Sequence, residues 1–244
     1  ALTSGFWRSA EFFGYTFPLS GFFLISGMGE ASATEKPTQS STQQTSAESS
    51  TKAPFVSPID FPQLQKKSPE AIAWLSIDGT KIDYPVMHTE DNQYYVHNSA
   101  QGESSKYGAI FLDFRNKGDF SDFYNVIYGH NMRDGTMFGT LDDFKKKAFF
   151  DRVKTGELHL PDKSYELQFF SCAVTKATGA YYVNLAFFSP AEKKKHLEML
   201  QKTAKYWRDI EIGEEDHLVL LSSCSYEFTD ARTVLLAKLA ELPR

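Results

Sequence analysis

The sequence predicts a mixed β fold with helices, built from about eight short strands. Three observations carry this. Short runs rich in β-branched and aromatic residues recur along the chain from Trp74 onwards. Gly, Pro and Asp punctuate them, as at Asp78-Gly79 and Pro161-Asp162-Lys163. Only one strong helix interrupts them, and it comes late. So many short strands favour a barrel or sandwich over an α/β layer fold, and no internal repeat is visible.

Residues 58–244 are expected to fold, opening with a short helix over Asp60–Lys67 whose Phe61 and Leu64 face inwards. Trp74–Ile77 and Ile82–Val86 flank Asp78-Gly79 as a hairpin. Further strands are predicted at Gly108–Phe114, Tyr124–Tyr128, Gly156–Leu160, Ser164–Val174, Leu218–Ser223 and Thr233–Leu239. The helix follows Ser189, a natural N-cap, with Pro190 in the first helical position and Glu192 completing a capping box. Leu197, Leu200, Ala204 and Trp207 then read as one buried helical stripe.

The first 57 residues are of two kinds. Ala31–Thr51 holds Ser, Thr, Gln, Ala and Glu almost throughout, so residues 31–57 form a flexible linker that cannot bury enough apolar surface to order itself. Phe12–Gly29 is a charge-free run of 18 residues, broken by glycines and Pro18. It makes residues 1–30 a membrane anchor or its remnant, the alternative being a disordered leader.

Composition narrows the function. A net charge of −5 gives no footprint for nucleic acid. Lys145-Lys146-Lys147 and Lys193-Lys194-Lys195 fall in helix-like segments and read as solvated faces. No His or carboxylate cluster has metal-ligand spacing, so neither metal nor cofactor is expected.

Chemistry concentrates near the C-terminus. Leu218–Cys224 is an apolar run ending on a thiol, and Arg232 follows eight residues later, just before Val234-Leu235-Leu236-Ala237. Paired as antiparallel neighbours, the two runs set Cys224 beside Arg232, and a fixed cation favours the nucleophilic thiolate. Another strand, Tyr124–Tyr128, leads to Gly129-His130-Asn131, which offers a proton carrier. The remaining histidines (His88, His97, His159, His196, His217) read as polar loop residues. Asp113 and Arg115 read as a structural pair. Cys172 lies in an aromatic-rich strand and reads as a small buried residue, the alternative being a Cys172–Cys224 disulfide.

These residues resemble the sortases, cysteine transpeptidases of Gram-positive surfaces. That family carries a His after a strand, a Thr-Leu-X-Thr-Cys strand end and an Arg on the next strand. Here the strand end is Leu220-Leu221-Ser222-Ser223-Cys224: Ser223 keeps a hydroxyl and Leu220 loses one. Class B sortases in particular are resembled by Ala73–Thr80 with Ile82–Val86, Asp91–Tyr95, Gly108–Asn116, and Tyr128–Met132 with Met137-Phe138.

The resemblance implies a closed β-barrel, with the helix before the catalytic strand walling a peptide groove. It implies Cys224 as nucleophile, His130 as general acid and base, and Arg232 as oxyanion or substrate donor. It implies substrate contacts from Asn92, Val96, Thr175, Tyr182, Val183, Ser222 and Ser223. The expected partners are sorting-signal peptides cleaved after Thr, and an amine acceptor on a cell-wall precursor or a pilin lysine. The expected location is the outer face of a Gram-positive membrane, reached through the N-terminal segment. Two rivals use the same residues differently: a hydrolytic cysteine protease, in which water resolves the thioester, and a non-catalytic surface binding module.

Overall fold

Strand pairing closes the chain into a barrel. The computed structural model describes residues 55–182, 185, 189–224 and 227–243, with Cys224 described by its backbone. All of these lie in one unit, Thr51–Arg244. Nine strands occur among the described residues: β1 (Ala71–Ser76), β2 (Asp83–Met87), β3 (Ile110–Leu112), β4 (Tyr124–Gly129), β5 (Thr155–His159), β6 (Ser164–Lys176), β7 (Tyr206–Trp207), β8 (His217–Cys224) and β9 (Ala231–Glu241). Their order is β5-β1-β2-β3-β4-β8-β9-β6-β7, and a further β5–β6 pairing closes eight of them into a ring. β7 is an added edge on β6. β2–β3 and β4–β8 are parallel, and the other pairs are antiparallel.

Alternation along the strands divides the apolar residues between two cores. Val219 and Leu221 of β8, with Leu235 and Ala237 of β9, join one cluster with Leu75, Val86, Ile110 and Ile127. Leu218 and Leu220, with Val234 and Leu236, join a second cluster on the other face. That second cluster is covered by Leu200 of the late helix and by Tyr181 and Tyr182. Leu220, which takes the place of the family's first Thr, is fully buried there, so packing replaces the missing hydroxyl.

Helices fill the connections: α1 (Phe61–Lys67), α2 (Tyr94–His97), a 3-10 helix (Gly139–Lys145), α3 (Lys147–Arg152) and α4 (Pro190–Thr203). Asp60 caps α1 through its side chain. Ser189 caps α4: its hydroxyl accepts from the Glu192 amide at 3.3 Å and donates to the Glu192 carboxylate at 2.8 Å.

The expected stripe on α4 is corrected in its second half. The helix ends at Thr203, Ala204 is its C-cap, and Trp207 lies on β7. The cause is the length of β6, which runs past the end of β5 and leaves carbonyls free on that edge. Lys205 and Arg208 donate to the Cys172 and Phe170 carbonyls at 2.8 and 2.7 Å, so the chain extends instead of coiling. Trp207 still reaches the second cluster, edge-on to Phe170.

Two other boundaries differ. The predicted Gly108–Phe114 strand shrinks to β3, because Gly108 takes φ +66° and a Cβ there would lie 2.3 Å from the Tyr95 carbonyl. The first hairpin is not a two-residue turn: Ile77 donates back to Ile82 across a longer loop, with Gly79 at φ +77°.

Gly129 ends β4 under tight packing. A Cβ on it would lie 2.5 Å from both Ile110 Cδ1 and Phe138 Cγ. Phe138 is fully buried and its amide donates to the His130 carbonyl at 2.9 Å. Gly129→Ala should therefore lower the unfolding free energy by about 1–3 kcal/mol. Urea denaturation would measure this, and a variant as stable as the parent would show that the ring yields freely.

Candidate active site

Four neighbouring strands bring the predicted residues to one end of the barrel. β4 and β8 run parallel, with Gly129 opposite Ser223, so the next residue in each is His130 and Cys224. β9 runs antiparallel beside β8, with Cys224 opposite Arg232. β6 lies beyond it, with Thr175 opposite Arg232. Neighbouring strands are about 4.8 Å apart, so the backbones of these four residues occupy one short row.

The two cysteines are kept apart by the same register. Cys172 pairs with Leu235, whereas Cys224 pairs with Arg232. Two strand spacings and a three-residue offset separate them by roughly 14 Å, beyond the Cα separation of about 7 Å that a disulfide can bridge. Cys172 is a free, fully buried thiol, and burial pushes its pKa up to about 12. Burial disfavours its thiolate, the form that acts as a nucleophile.

The predicted groove residues take different places. Ser222 and Tyr182 are buried and share a hydrogen bond of 2.7 Å between their hydroxyls. Tyr182 stacks on Tyr128 with ring centroids 6.3 Å apart, and both contribute to the α4-side cluster. Thr175 is part of the row just described. The Asn92 side-chain oxygen accepts from the Phe114 amide at 2.9 Å, at the surface. Val96 packs on the small cluster of Met87, Tyr95 and Phe111. Ser223 is buried, and its hydroxyl has no hydrogen-bond partner among the described residues. Val183 lies outside the described residues.

His130 is partly buried, which lowers its pKa below the ordinary 6.5 and favours the neutral ring. Its ring lies 6.4 Å from that of Tyr107, an exposed aromatic that nothing in the sequence marked. The other histidines are not a set of loop residues as expected. His159 is buried on β5 between Ser164 and Glu157. His196 is buried on α4 against Tyr124, and burial pulls its pKa down to about 4. His217 is on β8 and His97 ends α2, so only His88 sits in a loop. Polarity alone does not separate a loop histidine from one whose ring is packed.

Asp113 and Arg115 form a structural anchor beneath Tyr128. The Arg115 guanidinium donates twice to the fully buried carboxylate at 2.8 Å, and the Tyr128 hydroxyl donates at 2.9 Å. Burial would raise the Asp113 pKa, but these donors outweigh it and hold it below 3.8. Because the folded value is depressed, the stabilisation is complete above about pH 4 and is lost as pH falls through that lower value. Asp113→Asn should therefore shrink the loss of melting temperature between about pH 5 and pH 2. An acid profile identical to the parent's would show that the carboxylate adds nothing to acid sensitivity.

Among the described residues no group of three or more metal-ligating side chains occurs, and no helix is long and apolar enough to cross a membrane. The expected anchor, and the expected linker up to residue 54, lie outside those residues.

Comparison with known proteins supplies the family. No family model matches the chain. Sortase B of Listeria monocytogenes is 33% identical over 178 residues, 72% of either chain. A Staphylococcus aureus sortase B–substrate complex superposes with a TM-score of 0.70 at 28% identity, covering 75% of this chain and 78% of that one. A Streptococcus pyogenes class B sortase involved in pilus biogenesis gives 0.65 at 33% identity, covering 75% and 98%. These barrels define the sortase-type cysteine transpeptidases. The chain belongs to their class B.

Proposed function

We propose that this class B sortase uses Cys224, His130 and Arg232 to cut a sorting-signal peptide after Thr and join it to an amine. The observation that carries this is the row of His130, Cys224, Arg232 and Thr175 at one barrel end. The Cys224 thiolate adds to the peptide carbonyl, and Arg232 donates to the oxyanion or to the substrate backbone. His130, protonated, passes its proton to the departing nitrogen as the C–N bond breaks, leaving a thioester. An incoming amine then adds to the thioester, His130 takes its proton, and the thiolate leaves.

The acceptor is a cell-wall precursor or a pilin lysine, and the involvement of the streptococcal relative in pilus biogenesis keeps the second open. The peptide donor is supported by the substrate complex of the staphylococcal relative. The enzyme works on the outer face of a Gram-positive membrane, held by residues 1–30. Recovery of the full chain in the soluble fraction of its host cells would overturn that location.

Intact-protein mass spectrometry tests the reaction. The protein is mixed with a panel of sorting-type peptides, with and without amine acceptors. A thioester adduct that an amine resolves faster than water, into a ligated product, is the expected result. An adduct resolved only by water would mark a hydrolase, and a protein that forms none with any peptide would fit the binding module.

A further inference from the structure

The active-site row is held from its other face by one carboxylate that the reaction scheme does not use. Asp142 lies on the 3-10 helix Gly139–Lys145. One of its oxygens accepts from the Thr233 hydroxyl at 2.6 Å and pairs with Lys145 Nζ at 3.0 Å. The other accepts from Asn131 Nδ2 at 3.2 Å. Thr233 follows Arg232 and Asn131 follows His130, and both are buried. Lys145 continues outward to Glu227, at 2.5 Å, in the connection between Cys224 and Arg232. Its own place is fixed by Tyr206, whose hydroxyl donates to the Lys145 carbonyl at 3.1 Å.

Sequence position does not require any of this. β4 and β9 are not neighbours in the sheet, since β8 separates them. Asp142 therefore ties together two strand ends that the hydrogen-bond ladder leaves unconnected. Alternation puts Thr233 on the opposite face of β9 from Arg232, so the carboxylate grips the backbone from behind without touching the groove. Asn131 is bridged to Met137 across the loop that leads into the 3-10 helix, which makes the tie short.

We propose that Asp142 is a positioning residue, which sets His130 and Arg232 at their working separation and steadies the β8–β9 connection through Lys145 and Glu227. The proposal rests on the catalytic reading of His130, Cys224 and Arg232. A carboxylate suits the task because it accepts three donors at once, two of them neutral and one a cation. Loosening such a frame by about 1 Å costs up to about 100-fold in rate without weakening substrate binding.

The test measures kcat and KM for the full chain with a peptide that acylates the parent. The variants are Asp142→Ala, Asp142→Asn, Thr233→Val, Thr233→Ser and the double Asp142→Ala/Thr233→Val, with melting curves for each. Asp142→Ala should lower kcat about 10- to 100-fold with KM nearly unchanged. Thr233→Val should lower it in the same way, Thr233→Ser should retain the rate, and the double variant should be little worse than Asp142→Ala alone. A parental kcat in Asp142→Ala overturns the proposal, as does a rise in KM alone or a loss that multiplies in the double variant. Should Asp142→Ala not fold, a parental kcat in Asp142→Asn together with Thr233→Val overturns it equally. Cys224→Ala run alongside separates the two readings. Turnover that survives Cys224→Ala refutes the catalytic site and the proposal with it, whereas turnover lost in Cys224→Ala but kept in Asp142→Ala refutes the positioning role alone.

Discussion

Cys224→Ala should abolish the thioester and every ligated product, leaving an intact-protein mass that no sorting peptide changes. The reason is chemical rather than structural. A methyl group has no lone pair to offer a carbonyl carbon, and no other thiol can substitute. Cys172 is the second cysteine of the chain, and it is buried within the barrel core with a pKa pushed up to about 12. The same variant makes alkylation informative. Rapid labelling in the parent that disappears in Cys224→Ala would assign the reactive thiolate, since a buried, protonated thiol reacts slowly. An adduct of unchanged yield in the variant would remove Cys224 from the reaction.

His130→Ala should reduce transpeptidation by about 10²–10⁴-fold, the usual contribution of a positioned general acid and base. Both halves of the reaction need it: the departing nitrogen must gain a proton and the entering one must lose it. Burial holds the His130 pKa below 6.5, so the neutral ring predominates at neutral pH and the imidazolium is the minor form. The sign follows. The His130 titration observed by NMR should have its midpoint below 6.5, and the folded state loses His130-linked stability as pH falls through that midpoint. A small external imidazole should recover part of the lost rate if space is all that alanine leaves behind. A loss of less than tenfold would mean that another group carries the proton.

Much of the candidate site is legible in the sequence. An apolar run ending on Cys224 and a second run beginning at Arg232 can pair in few ways when the link between them is short, and the observed register sets the two residues opposite each other. The helix at 190–203 announced its start through Ser189, Pro190 and Glu192, because capping is a local matter of a few hydrogen bonds. Its end was not local. Trp207 keeps the helical spacing of Leu197 and Leu200, yet the chain left the helix after Thr203 to satisfy an exposed edge of β6.

The same distinction applies to the polar residues. Sequence pattern alone determined that this is a β-rich domain with a thiol, an imidazole and a guanidinium at strand ends, because strand period and turn chemistry are written in neighbouring residues. Only the tertiary structure decided that β4 lies parallel to β8, which makes His130 the neighbour of Cys224 across 94 positions of chain. Only it separated packed His159 and His196 from an accessible histidine, turned Asn92 towards the Phe114 amide, and joined Asp142 to both Asn131 and Thr233. Contacts between distant segments depend on which strands share an edge, and that is settled by the burial and hydrogen bonding of the whole barrel at once.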